Sequence, residues 1–329
     1  MKHADMVTMG QHFLLSSAAK TLSLSAVARM SDDEARATFE RIRFADNGGQ
    51  AYCPSCGCAA VYRYKTRAVF KCKGCDHHFS ITSGTIFADR KRPVRDYLLA
   101  IAIFVNGAKG VSALQLSRDL QCDYKTAFVL AHKLREAMAP TPGPKLGGVV
   151  EVDGAYFGGH IRPENRVEDR VDRRLAENQT GKRRCVVVIR ERGGRTLLFV
   201  VKSEDEGVPL IRKEVTLGSE IHADEAGHWI SLQARFDLKR IHHGKAYSAD
   251  GACTNQAESW FSRLRRGEVG VHHHFGKHLP NYANEFAWRE DNRRISTGGL
   301  FQMLAGSAAR LPVSSKWAGY WQRHLHVAK

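Results

Sequence analysis

Two Cys-x-x-Cys pairs near the amino terminus constrain this chain more than any other feature of its sequence. The first pair is Cys53 and Cys56, and the second is Cys72 and Cys75, with fifteen residues between the pairs. Four thiolates at this spacing can converge on one tetrahedral ion, and a site built only from sulfur suits Zn²⁺. We therefore predict a zinc ribbon in which these four cysteines bind a structural zinc ion.

The other four cysteines do not extend this cluster. Cys58 lies beside the first pair, and the remaining three are scattered singly farther along the chain. A reduced cytoplasmic protein with one local metal site fits this distribution better than a secreted disulfide scaffold does. Iron is the alternative metal for four sulfur ligands. We expect the neighbouring Cys58, His77 and His78 not to be ligands.

The charge of the chain points to a polyanionic partner. Lys and Arg outnumber Asp and Glu by 50 to 34, which gives a formal net charge of +16. Such an excess is typical of proteins that bind nucleic acid, and a membrane surface is the second candidate. The longest apolar run, Tyr97 to Val105, has nine residues, about half of what a bilayer-spanning helix needs. We therefore expect a cytoplasmic protein with no membrane span and no secretory signal.

Local patterns predict that helices surround the cysteine ribbon in the first half of the chain. Ser31 and Glu34 form a capping box ahead of a helix over about 32–44. The run 94–105 has the length and residue types of a buried helix. Residues 110–138 contain two helical patterns separated by a short turn, which predicts a helix-turn-helix.

A proline-rich linker separates this half from a second region with a different pattern. Residues 140–144 contain three prolines and one glycine, and such a segment is typical of a domain boundary. Beyond it the pattern changes to β and then becomes mainly helical. The predicted strands are 148–157, 184–190, 196–201 and 220–223.

Three acids in the second region form a candidate catalytic set. One β-branched run ends at Asp153 and another apolar run ends at Asp224, while Glu258 lies in a predicted helix with Arg265 seven residues later on the same face. An isolated Asp at a strand end is usually a turn cap. A charged acid at a central strand is nevertheless costly unless a cation binds it. Together the three acids predict an oxygen-rich site for Mg²⁺, which holds phosphate and water for in-line displacement.

Five motifs strengthen this interpretation. They are CPSCG at 53–57, FSITSGTIF at 79–87, EVDGAYFGG at 151–159, NQAES at 255–259 and YANEFAWR at 282–289. In this order the chain resembles the DDE transposases of bacterial insertion sequences that carry an N-terminal zinc ribbon. That group is called ISXO-two-like, or the insertion sequence fifteen-ninety-five group. The resemblance spans about residues 30 to 295, which is most of the chain.

The resemblance implies a fold and a metal chemistry. The fold is α/β, with an RNase H-like catalytic domain, a mixed sheet flanked by helices, preceded by a zinc ribbon and a helix-turn-helix. Asp153, Asp224 and an acid on a later helix would bind Mg²⁺ or Mn²⁺ in a two-metal site. Asp224 and Glu258 are 34 residues apart, close to the spacing usual in the family, and Arg265 matches its basic residue seven positions after the third acid.

The third acid has two competitors. Some members of the group use Asn at this position, and Asn255 stands three residues before Glu258, about one helical turn away. Glu285 is the other contender, but its aromatic neighbours favour a structural or phosphate-orienting helix. We place Glu258 ahead of Asn255, and both ahead of Glu285.

The resemblance also implies an activity and partners. The chain would bind the terminal inverted repeats of an insertion sequence and catalyse metal-dependent DNA cleavage and strand transfer. Its partners would be double-stranded DNA, as terminal repeats and as target, and further copies of itself in a homodimer or higher oligomer, in the cytoplasm of a bacterium near the nucleoid. The alternatives are a zinc-ribbon DNA-binding regulator with an inactive catalytic domain, and an RNase H-like nuclease without strand transfer.

DNA binding is expected mainly from the first half of the chain, with Lys125 and Thr126 at the start of the recognition helix. The basic stretch 160–184 is either a solvated insertion or a loop that follows the DNA backbone. The predicted divisions of the chain are 1–45 as a leader and short helix, 46–90 as the zinc ribbon, 91–140 as the helix-turn-helix region, 145–300 as the catalytic domain and 301–329 as a C-terminal tail.

Overall fold

The amino-terminal helices begin where their caps predict. The computed structural model describes residues 12–158, 164–172, 178, 181–242, 248 and 251–322. In it the Ser31 hydroxyl accepts the N–H of Glu34, and the Glu34 carboxylate accepts the N–H of Ser31, which confirms the capping box. The first two helices are α1, Leu24–Ala28, and α2, Asp32–Arg43.

The cysteine-rich region forms a small antiparallel sheet. Its strands are β1, Val61–Arg63, β2, Phe70–Cys72, and β3, His78–Phe79, in the order β1-β2-β3. So small a sheet cannot bury enough apolar surface to be stable alone. Stabilisation therefore has to come from the cysteine site and from packing against the helices.

A helix-turn-helix follows the ribbon. The three helices of this region are α3, Val94–Asn106, α4, Ala113–Asp119, and α5, Tyr124–Ala137. Ser112 caps α4, and Gln121 adopts a left-handed conformation in the turn between α4 and α5. The predicted helix-turn-helix is therefore present.

The chain divides into two units, and its last helix belongs to the first. Met1–Met138 and Asn292–Lys329 form one unit, and Ala139–Asp291 form the other. Helix α9, Thr297–Arg310, packs against α2, α3 and α5. Small residues let α9 pack closely, but they give it a weak apolar pattern in the sequence. The sequence predicts a C-terminal tail over 301–329, whereas the structure begins this range inside a buried helix.

A mixed five-stranded sheet forms the centre of the second unit. Its order is β6-β5-β4-β7-β8, with β4, β5 and β6 antiparallel to one another and with β7 and β8 parallel to β4. The strands are β4, Val149–Phe157, β5, Arg184–Glu191, β6, Thr196–Val201, β7, Glu220–Ala223, and β8, Asp237–Arg240. The four strands predicted from the sequence are confirmed, and β8 is additional.

Helices cover both faces of this sheet. Helix α6, Gly207–Glu214, and the 3-10 helix Gly227–Ala234 lie on one face, and α7, Asn255–Gly267, and α8, Leu279–Asp291, lie on the other. Successive residues of β5 alternate between the two cores: Val187 and Ile189 face α6, while Val186 and Val188 face α7. Burial on both faces explains why β5 is an unbroken apolar run.

Two further sequence predictions, the basic stretch 160–184 and the expected lack of a membrane span, do not concern the sheet and its helices. Part of the basic stretch 160–184 is affected, since residues 160–163, 173–177 and 179–180 lie outside the described part of the chain. Among the described helices, none is both long enough and apolar enough to cross a bilayer.

The packing of α9 can be tested with neighbouring residues. Leu304 is fully buried and Met303 is 40% exposed. We expect Leu304→Ala to lower the free energy of unfolding by about 2–5 kcal/mol, because it opens a cavity. Met303→Ala should cost less than about 1 kcal/mol. Urea denaturation followed by circular dichroism measures both, and equal small effects would support the tail instead.

Candidate functional site

The four predicted zinc ligands converge in the structure. Cys53 Sγ lies 3.7 Å from Cys75 Sγ, Cys56 Sγ lies 3.5 Å from Cys72 Sγ, and all four sulfurs lie within 4.8 Å of one another. A disulfide would need about 2.05 Å. Four sulfurs at about 2.3 Å from one Zn²⁺ stand roughly 3.8 Å apart. The cluster therefore fits a structural zinc ion.

The neighbours of these cysteines are engaged elsewhere. The Cys58 thiol lies 3.9 Å from the carbonyl of Ala60, outside the cluster. The His78 ring is 3.0 Å from the Tyr64 hydroxyl, and His77 stacks on a phenylalanine. This placement agrees with the prediction that Cys58, His77 and His78 are not ligands.

Two cysteines five residues apart provide a matched test of the zinc site. Cys53→Ser should reduce the zinc content from about one ion per chain to near zero and unfold the ribbon, because it removes a buried ligand. Cys58→Ser should retain the zinc. Elemental analysis of the purified proteins measures both, and iron in place of zinc, or equal loss from both variants, would contradict the assignment.

Asp153 and Asp224 come together where two parallel strands part. Strand β4 pairs with β7 from Val149 opposite Glu220 to Glu151 opposite His222, and the pairing then stops. The same register, continued by two residues, brings Asp153 beside Asp224. A crevice at the carboxyl end of a parallel strand is where open α/β sheets bind ligands.

Strand alternation decides which way the side chains of β4 face. Ala155 and Phe157 lie in the core beneath α7. Because side chains alternate along a strand, Glu151 and Asp153 face the same side. Both acids therefore point toward the helix that contains Glu258.

Glu151 holds the amino terminus of that helix. Its carboxylate is fully buried, and it accepts the backbone N–H groups of Gln256 at 2.8 Å and of Ala257 at 3.2 Å. Arg192 Nε donates to the other carboxylate oxygen at 2.9 Å. A carboxylate at a helix amino terminus is stabilised by the free N–H groups and by the helix dipole. The contact fixes the first turn of α7, with Glu258, against β4.

The same network reaches β7. Arg192 also donates to the Cys253 carbonyl at 3.1 Å, and the Cys253 N–H donates to His222 Nδ1 at 3.0 Å. His222 is a buried residue of β7, two positions before Asp224. Three segments that contain the predicted catalytic acids are thus joined by one set of hydrogen bonds.

The three candidates for the third position lie in different surroundings. Glu258 is half-buried in the first turn of α7 and accepts a hydrogen bond from Thr254 Oγ1 at 3.0 Å. Asn255 is exposed. Glu285 is fully buried in α8 and pairs with Arg289 at 2.8 Å. The exposure of Asn255 and the ion pair of Glu285 favour Glu258 as the residue that faces Asp153.

Arg265 lies two turns along α7 from Glu258. Its guanidinium is exposed and stands 5.9 Å from the centre of the Phe157 ring, at the end of β4. An exposed cation on the same helix as Glu258 is suited to bind a phosphate.

The acids lie close enough to influence one another. Burial, and then the negative charges of Asp224, Glu204 and Glu258, raise the pKa of the Asp153 carboxyl to about 7, although the Gly154 N–H opposes the shift. That N–H donates to Asp153 Oδ1 at 2.7 Å. A group of like charges in a buried setting is destabilised unless a cation neutralises it.

Glu204 lies beside these acids, and the sequence prediction did not include it. It follows β6 within Glu204-Asp205-Glu206, which appears in the sequence as an ordinary acidic turn. Burial, and then the charge of Asp224, raise the pKa of Glu204 to about 7. The one available signal was its position shortly after a strand, which resembles the position of Asp224 after β7.

The donor set fits a hard divalent cation. Asp224 accepts the N–H of Ala226 at 3.1 Å, and in the described part of the chain no Lys or Arg side chain pairs with Asp153 or Asp224. Carboxylate oxygens are the ligands that Mg²⁺ and Mn²⁺ prefer. Among the described residues, only the cysteines bring three or more potential ligand atoms within 4.8 Å of one another. No three of the described carboxylates meet this limit.

A four-cysteine ribbon joined to a mixed sheet with carboxylates at its crevice defines a zinc-ribbon protein of the DDE transposase class. Residues 30–78 match the transposase zinc-ribbon domain, and residues 145–291 match the ISXO2-like transposase domain. These two segments are an ISXO2-like transposase domain and a transposase zinc ribbon, which confirms the resemblance seen in the sequence.

A relative comes from an archaeon. It is the "Uncharacterized protein in transposable element ISH50" of Halobacterium salinarum, strain ATCC 700922 / JCM 11081 / NRC-1, and it is 30% identical over 133 residues. The match covers 40% of this chain and 44% of the relative, so the chain spans less than half of that protein. Because the relative is archaeal, the expected bacterial source is not supported.

The crowding of acids predicts how pH affects stability. Asp153 has a folded-state pKa near 7, well above the usual 3.8. At pH values between these two numbers, the folded state therefore binds more protons than the unfolded state. Stability therefore falls as the pH rises from about 4 to about 7 and then levels off. Asp153→Asn should remove this loss and raise the melting temperature in Mg²⁺-free buffer by roughly 5 °C at pH 8.

Differential scanning calorimetry from pH 4 to pH 8 measures the effect, and Asp205→Asn is the control because Asp205 is an exposed acid. The gap between Asp153→Asn and the parent should close toward pH 4. A gap that is constant with pH would contradict the raised pKa of Asp153.

Proposed function

We propose that this chain is an active transposase, which binds the terminal inverted repeats of an insertion sequence, cleaves the DNA and transfers the freed strand into a target. The approach of Asp153, Asp224 and Glu258 from two strands and one helix carries this proposal. The order of the sheet, with three antiparallel strands followed by two parallel ones, supports an RNase H-like catalytic domain.

Each acid has a role that suits its setting. Asp153 and Asp224 lie at the crevice between β4 and β7, and they would hold Mg²⁺ or Mn²⁺ with Glu258 as the third ligand. Bound metal would polarise the scissile phosphate and activate the attacking water or 3′-hydroxyl. Arg265 would orient the DNA phosphate from the exposed side of α7. Glu151 keeps Glu258 in place because it anchors the helix amino terminus.

DNA recognition would come from the first unit. Lys125 and Thr126 are exposed in the first turn of α5, where recognition helices contact base edges. Exposed Arg63 and Lys65 on the ribbon would add contacts to phosphates. A second copy of the chain is expected in the assembled complex, because an insertion sequence has two ends to cut. The chain would act on the DNA of its host cell.

The catalytic assignment predicts an ordered set of activities. Asp153→Asn, Asp224→Asn and Glu258→Gln should each lower cleavage of a terminal-repeat DNA by at least about 1,000-fold, because each removes a ligand charge. They should bind the DNA at least as well as the parent, since acids repel phosphates. Asn255→Ala and Glu285→Gln should retain measurable activity.

Incubation with labelled terminal-repeat DNA and Mg²⁺ or Mn²⁺ measures cleaved and strand-transferred products separately. Cleavage without joining would favour a nuclease, and specific binding without cleavage would favour a regulator with an inactive catalytic domain. Normal cleavage by Glu258→Gln together with an inactive Asn255→Ala would assign the third position to Asn255.

The recognition helix can be tested in the full-length chain. Lys125→Ala should weaken binding to terminal repeats and reduce the salt dependence of binding by about one counterion. Thr126→Ala should reduce the preference for terminal repeats over unrelated DNA. Lys145→Ala, an exposed lysine of the second unit, is the matched control. Fluorescence anisotropy at several salt concentrations measures these effects, and an equal loss from Lys145→Ala would contradict the assignment to α5.

A further inference from the structure

Glu204 approaches Asp153 and Asp224 from the side of the sheet opposite to Glu258. Val150 and Val152 of β4 lie in the core beneath α6, so Gly154, two residues on, faces that side as well. Asp153 faces α7 instead. Glu204 begins the 3-10 turn Glu204–Glu206 that leads into α6, and it lies against Gly154.

Two glycines make this approach possible. A Cβ atom on Gly154 would stand 2.6 Å from Glu204 Cγ, closer than any real contact. A Cβ atom on Gly207, the first residue of α6, would stand 2.9 Å from Val187 Cγ1. The absence of both side chains lets α6 pack closely on the sheet and leaves the Glu204 side chain space beside β4.

The backbone N–H of Gly154 lowers the pKa of the Glu204 carboxyl, but Glu204 has no close basic partner among the described residues. In the described part of the chain, the one basic group that pairs with its carboxylate is His228, with Nε2 3.8 Å from Glu204 Oε2. That distance is too long for a hydrogen bond. The Glu204 side chain is only 18% exposed, so water screens it poorly. A negative charge in this position is destabilised, and a bound cation would stabilise it.

We propose that Glu204 is a fourth carboxylate of the catalytic centre, which with Asp153 and Asp224 holds a divalent cation from the side opposite to Glu258. This inference rests on the proposed function. It extends the site beyond the three expected acids, and it gives one cation ligands from both sides of the sheet edge.

The test uses the full-length, zinc-loaded chain without DNA, and Mn²⁺ is the probe. Isothermal titration calorimetry measures the Mn²⁺ dissociation constant of the parent, of Glu204→Gln and of Asp205→Asn. Asp205→Asn removes the same charge from the adjacent, exposed position. Asp153→Asn is measured as well, and it gives the Mn²⁺ binding that remains when one proposed ligand of the catalytic centre is removed.

Glu204→Gln should weaken Mn²⁺ binding by at least about tenfold, since even residues that only support a metal ligand typically cost about 10- to 100-fold. Asp205→Asn should stay within about twofold of the parent. The metal-free melting temperature of Glu204→Gln should equal or exceed that of the parent, because a like charge has been removed. If Glu204→Gln does not fold, Glu204→Asp, which withdraws the carboxylate by one methylene, should show the same loss of Mn²⁺ affinity.

The outcomes separate this inference from the proposed function. Undiminished Mn²⁺ affinity in Glu204→Gln, with affinity lost in Asp153→Asn, would overturn the role of Glu204 alone. Unaltered cleavage by Asp153→Asn would overturn the proposed function instead. Loss of Mn²⁺ affinity in Glu204→Gln, together with a higher Mg²⁺ requirement for cleavage, supports the fourth ligand.

Discussion

The arrangement of the catalytic unit depends on one buried carboxylate. Glu151 lies inside the sheet, where an uncompensated charge would cost several kcal/mol. Arg192 and two backbone N–H groups of α7 compensate it. Because the same contact closes the amino terminus of α7, the free energy that keeps this charge buried also fixes where Glu258 lies. The position of Glu258 in the site therefore depends on how the buried charge of Glu151 is neutralised.

In the candidate catalytic centre, by contrast with Glu151, the surroundings of the acids disfavour their charged forms. Asp153 and Glu204 have raised pKa values because burial and neighbouring acids disfavour their charged forms. Proteins tolerate such local instability at functional sites when the surrounding structure is stable enough. Here the two cores on either side of β5 provide that stability. The zinc ribbon is not part of the catalytic unit, since its four cysteines lie in the first unit.

Features with a local cause could be predicted from the sequence. The capping box at Ser31 and the two cysteine pairs depend on residues close together in the chain, so their spacing was sufficient. The acids Asp153 and Asp224 could be found because each ends an apolar run in the sequence, although the structure continues β4 four residues past Asp153. Glu204 could not, because its role depends on contact with Gly154, fifty residues earlier, and no local pattern encodes that contact. Helix α9 was not predicted for a related reason, since its small residues stabilise it only through packing against α2, α3 and α5.

Strand β4 contains both the anchor of α7 and a predicted catalytic acid, two residues apart and on the same face. A deletion or insertion of a single residue before Glu151 that was absorbed by a shift in pairing would turn both side chains to the other side of the sheet. Chemistry and helix docking would then be lost together. Change in this strand during evolution is therefore limited to substitutions that preserve its length, whereas the loops at either end can vary in length without disturbing the alternation of β4.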